Sequence, residues 1–354
     1  MDIQILPLTS PKSRPADESQ LGFGKHFTDR MFVMEYAAGK GWHSACIQPY
    51  GPFSLDPACA VLHYAQEIFE GLKAFRREDG SIALFRAIDN VRRFNRSAAR
   101  MCMPEVDEAF FHEAIRQLVR LEADWVPRSA GTSLYIRPTM IAVDPFLGVH
   151  PSDTYLCYVI LSPVGAYYKG GFSPVKIWIS DEYVRAALGG TGEAKTGGNY
   201  AASLKASREA AARGFDQVLW LDAEQRRYVE EVGSMNMCFV IDGKVVTSPL
   251  RGTILDGVTR RSILTLVRDL GVEVEERALA VDEIFDTIAA GRMTEAFGTG
   301  TAAVVSPVGQ FTYRDRTATL GSGEVGAFTL KLYETLTGIQ YGRLPDVHGW
   351  VERL

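Results

Sequence analysis

Lys195 stands inside "GGTGEAKTGGNYAASL", residues 189–204, with glycine at 189, 190, 192, 197 and 198. Glycine costs backbone entropy, so a cluster of it marks backbone that must pass close to something. A lone amine in that setting suggests two chemistries. The first is a phosphate loop. Gly189, four residues, Ala194, Lys195 and Thr196 follow the G-x-x-x-x-G-K-[ST] pattern, except that alanine replaces its second glycine. "VLWLD", ending at Asp222, could pass for the acidic strand that holds magnesium in such proteins. The context argues against this reading. A phosphate loop follows a strand, whereas the upstream "DEYVRAALGG" reads as helical or irregular, and the missing glycine is the one directly before the lysine. The second chemistry is a covalent lysine, whose amine must be available in its neutral form.

A lysine that forms a Schiff base with pyridoxal phosphate needs two companions: an acid for the pyridine nitrogen and a cradle for the phosphate. The same half of the chain supplies candidates. "YVEEVGSMN" places Glu230 and Glu231 at a strand end. "LDGVTRRSIL" places Gly257, Val258 and Thr259 where a helix begins, and helix N-termini bind phosphate through free N–H groups. "FGTGTAAVV", from Phe297 to Val305, is a glycine–threonine turn whose amides can hold an anion. Each piece alone is commonplace. A lysine near glycines is usually a solvated loop, and Glu-Glu is usually a wet surface. Their occurrence together, in order, is what points to one site.

The elements that must position these residues are mixed. Phe111, Ile115, Leu118 and Val119 fall on one face of a helix predicted from Asp107 to Trp125. "SLYIRPTMIAV" and "TYLCYVILSPV" read as strands. "VGAYYKGGFSP", residues 164–174, is the candidate interdomain linker. Beyond it "VKIWIS", "QVLWLD", "MCFVI", "KVVTS" and "VEVEERAL" read as strands, with Asp242-Gly243 as a hairpin turn. Helices are predicted over Tyr200–Arg213, Val258–Leu270 and Val281–Ala290. Regular β-α-β alternation is missing, so the fold class is mixed α+β rather than a doubly wound sheet. The expected division is a poorly ordered arm over 1–20, a small domain over 21–163 and a large domain over 175–354.

Bulk properties narrow the class. The length of 354 residues suggests two domains, and 46% hydrophobic with 23% charged residues is ordinary for a globular protein. A net charge of −5 argues against nucleic acid as a partner. The five cysteines are scattered, with no C-x-x-C pair and no spaced histidines, so neither a disulfide framework nor a metal site is expected. The N-terminus lacks the apolar core of a signal peptide, and no apolar run approaches the ~20 residues of a membrane span. A cytoplasmic location is the expectation.

Taken together, the motifs identify a resemblance. "FGKHFTDRMF", "LHYAQEIFEGLKAF", "NVRRFNRSAARM", "GTSLYIRP", "AKTGGNYAASL", "EVGSMN", "LDGVTRRSIL", "FGTGTAAVVSPV" and "IQYG" resemble the branched-chain amino-acid aminotransferases, enzymes of pyridoxal phosphate fold type IV. The match runs from about Phe23 to the C-terminus. It implies two α/β domains with the cofactor between them, and exchange of an amino group between leucine, isoleucine or valine and 2-oxoglutarate. It also implies roles. Lys195 would carry the cofactor and move the proton. Glu231 would face the pyridine nitrogen, and Tyr200 the phenolic oxygen. Arg93, with Arg92 as its rival, would bind the phosphate together with Val258, Thr259 and Thr301, and Ser234 would lie in the cofactor loop. Tyr135, Thr301 and Ala302 would hold the substrate α-carboxylate. Phe23, Tyr64 and Phe69 would wall an apolar pocket, and Arg137 would meet glutamate's second carboxylate. Leu147 and Val149, in "FLGVH", match a loop that closes the partner subunit's site, which implies a homodimer. Animal members carry a thiol pair where this chain has Ala303 and Ser306. The alternatives are a D-amino-acid aminotransferase or lyase on the same fold, a nucleotide hydrolase, or a module that only binds the cofactor.

Overall fold

A computed structural model describes residues 1–165 and 172–354 of the chain. They form two compact units: residues 1–165 with Ala194–Gly197 and Ile339–Leu354, and residues 172–193 with Gly198–Gly338. This differs from a division at a single linker. The C-terminal residues belong to the first unit because Val351–Arg353 pairs with the free edge of Ile82–Phe85, Val351 opposite Phe85. A strand of three residues carries no periodicity to read. Most of the expected linker, residues 166–171, lies outside the described residues. The expected arm over 1–20 has specific contacts. Gln4–Ile5 pairs in parallel with Cys46–Ile47, and the Glu18 carboxylate accepts the backbone N–H groups of Arg128 and Ser129.

The first unit is one nine-stranded sheet. Its order is Gln4–Ile5, Gly41–Pro49, Arg30–Ala37, Thr154–Val164, Ser133–Ala142, Leu72–Arg76, Ile82–Phe85, Val351–Arg353. The two long apolar runs pair antiparallel along their length, from Ser133 opposite Val164 to Ala142 opposite Tyr155. The helices Ala87–Arg100 and Glu108–Leu121 cover the sheet. Val91, Phe94, Phe111, Ile115 and Leu118 join Phe32, Ile136 and Leu161 in a single core. The Asp107 carboxylate accepts the Phe110 N–H at 2.7 Å and so starts the second helix. Glu67–Phe69 and Leu72–Arg76 pair with the same side of Ser133–Ala142, Phe69 opposite Thr139 and Leu72 opposite Ile136. Glu70 and Gly71 interrupt that edge.

In the second unit, six strands close on themselves. Val229–Val232 pairs with Gln217–Leu221, then Val175–Ser180, Val304–Tyr313, Met293–Gly300 and Met235–Ile241 follow, and the last pairs back with Val229–Val232. Closure removes sheet edges that would otherwise need cover. Alternation divides the side chains. Ile177, Ile179, Leu219 and Leu221 enter one core, while Trp178, Val218 and Trp220 face the helix Leu204–Ala212. Asp242 and Gly243 both have positive φ, 50° and 75°, as the predicted hairpin turn requires. The helix predicted over Tyr200–Arg213 is divided into Gly197–Ala201 and Leu204–Ala212, and the strand in "VEVEERAL" shrinks to Val274–Glu276.

Candidate active site

In the first unit, Lys195 is anchored from both sides of its peptide. Its N–H donates to Ser97 Oγ at 2.9 Å, and its carbonyl accepts the Phe69 N–H at 2.9 Å. The next residue continues the attachment, Thr196 Oγ1 donating to the Glu67 carbonyl at 2.7 Å. The Lys195 amine lies 4.7 Å from the centre of the Phe69 ring. Four predicted substrate residues gather there. The Arg137 guanidinium stacks at 4.8 Å over Phe69 and donates to the Tyr135 hydroxyl at 3.1 Å, and Phe23 meets Tyr135 edge-on at 4.9 Å. Arg137 Nε is buried and has no hydrogen-bond partner among the described residues. A buried donor without an acceptor is uncommon in a folded protein, and an incoming carboxylate would satisfy it. Gly71 makes room for this cluster, since a Cβ there would overlap the Tyr135 hydroxyl.

Arg93 and Arg92 separate clearly. Arg92 is half exposed and reaches Glu108, whereas Arg93 is buried and forks onto Glu70, Nε to Oε1 at 2.6 Å and Nη2 to Oε2 at 2.9 Å. Glu70 also accepts from Asn90 Nδ2 at 2.8 Å. Burial would raise the Glu70 pKa, but the charge and hydrogen bonds of Arg93, the charge of Lys195 and the Asn90 amide outweigh it, holding the carboxyl below its ordinary value.

In the second unit, Glu231, Asn236 and Thr299 lie side by side on three adjacent strands, Glu231 opposite Asn236 and Asn236 opposite Thr299. Asn236 Nδ2 donates to Glu231 Oε1 and to the Leu255 carbonyl, both at 2.9 Å, tying the acid to the loop before the helix Val258–Asp269. Glu231 Oε2 is paired with Arg185 Nε at 2.6 Å, both side chains almost fully buried. A buried carboxylate is the kind of acceptor that a ring N–H needs. The helix starts at Val258 behind Gly257, which supplies no side-chain cap, so its first N–H groups suit an anion. Thr259 lies in that first turn and is largely buried. The Thr299 hydroxyl is buried without a partner among the described residues. Thr301 and Ala302 occupy the turn between Met293–Gly300 and Val304–Tyr313. Ser234 follows Gly233, at φ 55°, in the hairpin after Glu231, and Tyr200 lies in the short helix Gly197–Ala201. These residues fit the demands of pyridoxal phosphate: an amine, a buried acid and an uncapped helix start.

Three predicted substrate residues are exposed, two of them expected at the partner subunit's site. Tyr64, expected in the pocket wall, is 40% exposed and its ring meets that of His63. It lies on the five-residue helix Ala60–Tyr64, which ends in a left-handed residue at Ala65, and that brief turn presents it to the surface. Leu147 and Val149 are 68% and 88% exposed. Sequence reasoning missed Glu70, Arg185 and Asn236. Asn236 and Glu70 sit within quoted motifs without a role, and Arg185, in an irregular stretch, gave no signal.

The Amino-transferase class IV family matches residues 67–311. Branched-chain-amino-acid aminotransferase 2 of Bacillus subtilis is 53% identical over 97% of this chain and 94% of its own length. The Mycolicibacterium smegmatis branched-chain-amino-acid aminotransferase is 51% identical over 100% and 98%. Among solved structures, the branched-chain aminotransferase of Thermoproteus uzoniensis with norvaline superposes with a TM-score of 0.76, at 25% identity over 92% of this chain and 99% of that one. The branched-chain amino acid aminotransferase of T.th., complexed with N-(5'-phosphopyridoxyl)-L-glutamate, gives 0.71, at 29% identity over 90% and 97%. Class IV aminotransferases use pyridoxal phosphate, and the fold is that of fold type IV. The chain belongs to the branched-chain amino-acid aminotransferases of the class IV aminotransferase family.

Proposed function

We propose that this chain transfers the amino group reversibly between leucine, isoleucine or valine and 2-oxoglutarate, in two half-reactions. The observation that carries the substrate reading is the cluster around Lys195. Phe69 and Phe23 offer apolar contact for a branched side chain, and the unpartnered Arg137 Nε offers a donor for the second carboxylate of glutamate. One site must accept both side chains, and an aromatic wall bearing a guanidinium does so.

Pyridoxal phosphate supplies the reactive carbonyl and the electron sink for the pair left when the substrate Cα–H bond breaks. The chain does the rest. Lys195 would anchor the cofactor through Nζ, and the same amine, freed when substrate binds, would take the proton from the substrate Cα and hold it for return. Glu231, paired with Arg185 and hydrogen-bonded by Asn236, keeps a proton on the ring nitrogen. Tyr200 donates to the phenolic oxygen. Arg93, Val258, Thr259 and Thr301 bind the phosphate, with Ser234 in the adjoining loop. Tyr135, Thr301 and Ala302 orient the substrate carboxylate.

We also place the protein in the cytoplasm as a homodimer. The five cysteines are free, and among the described residues no helix is long and apolar enough to cross a membrane. Exposed Leu62, Tyr64, Phe146, Leu147 and Val149 lie on two segments joined by the Phe146 N–H to Ala58 carbonyl bond and the Cys59–Pro145 bridge. Tyr64 then belongs with Leu147 and Val149 on the surface that a second copy covers. Light scattering giving the mass of one chain would exclude the dimer. The activity is tested by the visible spectrum of the holoenzyme: its absorption band should shift with L-leucine and return with 2-oxoglutarate. A band indifferent to L-leucine, or one that responds only to D-amino acids, would overturn the reading.

A further inference from the structure

The second unit contains a cavity of about 300 Å³ that uses none of the residues assigned above. It is lined on its apolar side by Leu188, Val229, Pro249 and Ile254, and it reaches Glu230. That volume lies at the small end of ligand sites. Glu230 neighbours Glu231 in the strand Val229–Val232, so alternation turns the two side chains to opposite faces. It is 6% exposed, and its Oε2 has no hydrogen-bond partner among the described residues. The Thr253 hydroxyl is the hydrogen-bonding neighbour of its carboxyl group. Buried polar atoms are nearly always satisfied, and an unpaired carboxylate costs most of all.

The rest of the lining decides the sign of a ligand. Three carboxyl groups, Asp222, Glu224 and Glu230, face one guanidinium, Arg251. Asp222 is already occupied, accepting the backbone N–H groups of Gln225, Arg227 and Tyr228 at 2.6, 2.9 and 2.7 Å. Glu224 is exposed, so Glu230 is the buried acceptor left over in a negative, largely apolar chamber. We propose that this cavity binds a small organic ammonium compound, its N–H⁺ on Glu230 Oε2 and its alkyl body against Leu188, Val229, Pro249 and Ile254. A cation with one donor and a short apolar body satisfies the buried oxygen by a charge-assisted bond and fills the chamber. An anion would meet the carboxyls, and a neutral hydrocarbon would leave Oε2 unsatisfied.

The pH dependence follows from the groups around Glu230. Burial pushes its carboxyl above the ordinary value; the Thr253 hydrogen bond and the Arg185 charge oppose this, and the Glu231 and Asp222 charges add to it. Glu224, Tyr228 and Arg251 complete the polar lining. The cation needs ionised Glu230, so its affinity should rise with pH through that raised pKa and then level off.

The probe is N,N-dimethyl-3-methylbutylamine, a tertiary amine that cannot condense with an aldehyde and so cannot react as a transaminase substrate. Calorimetric titration into the holoenzyme at pH 8 should show one saturable site, whereas binding of 3-methylbutanoate, which the substrate site itself can take, should be unchanged by Leu188→Trp. Glu230→Gln, nearly isosteric, should weaken the probe tenfold or more. Leu188→Trp, at a position 58% exposed, should abolish binding by filling the chamber while the spectral response to L-leucine persists. No saturable heat, or equal affinity in wild type and Glu230→Gln, would overturn the proposal and leave ordered water as the partner of Oε2. Neither result bears on the aminotransferase reading, which stands or falls on the leucine spectrum.

Discussion

Replacing Arg185 with methionine isolates the ion pair that compensates the buried charge of Glu231. The two side chains meet at 2.6 Å and are only 5% and 3% exposed, so little solvent screens them. Removing one partner of a buried pair costs roughly 3–5 kcal/mol, because the other charge is left uncompensated. Arg185 Nη1 also donates to the Gly192 and Thr253 carbonyls at 3.2 and 2.8 Å. Losing those bonds adds roughly 1 kcal/mol each. Methionine keeps most of the apolar length, so the packing loss is small. The expected total is about 5–7 kcal/mol. Urea unfolding followed by tryptophan fluorescence measures it, and a double-mutant cycle with Glu231→Gln assigns it. If the stranded carboxylate is the cause, Glu231→Gln should restore stability to the Arg185→Met protein while destabilising wild type. A loss below about 1 kcal/mol, or a strictly additive cycle, would refute the argument.

Lys195→Ala and Glu231→Gln should each lower turnover of leucine by about 10²–10⁴, the usual cost of a positioned acid–base group; wild-type kcat in either would contradict the assigned role. Gly71→Ala should push the Tyr135 hydroxyl aside and raise the KM for leucine about tenfold, as expected for one lost bond to a carboxylate. An unchanged KM would remove Tyr135 from the substrate site. Burial lowers the Lys73 pKa from 10.5 to about 8, equivalent to roughly 3 kcal/mol against the charged form. The unfolded chain then binds more protons between pH 8 and 10.5, so folded stability should rise with pH across that window. Lys73→Met should abolish the rise, and parallel stability–pH curves for the two proteins would show that Lys73 is not the titrating group.

The invisibility of Glu70 and Arg185 in the sequence has a common cause. Both are charged residues whose meaning lies in a buried partner far along the chain. Arg93 is 23 residues from Glu70, and Glu231 is brought to Arg185 by the closed sheet of the second unit. Spacing rules report on neighbours within a turn or a strand, and no such rule covers these pairs. The choice between Arg92 and Arg93 was open for the same reason: consecutive helix residues point about 100° apart, and only packing shows which faces inward.

Much else was local and could be read directly. The helix read over Asp107–Trp125 follows from its 3.6-residue apolar period and forms over Glu108–Leu121, the hairpin at Asp242-Gly243 follows from residues that tolerate positive φ, and the helix start at Val258 from the preceding glycine. The motif around Lys195 named its chemistry because that chemistry needs particular residue types in order. Tertiary structure decided where those residues belong. Lys195 reads as part of the second half of the chain, yet its peptide is bound by Ser97, 98 residues away, and by Phe69, which places Ala194–Gly197 in the first unit. It also left Tyr64 40% exposed and brought the last residues back to pair with Ile82–Phe85. Dihedral preference and periodicity are properties of a short segment. A hydrogen-bond partner, a strand edge and the inside of a sheet exist only once distant segments have met.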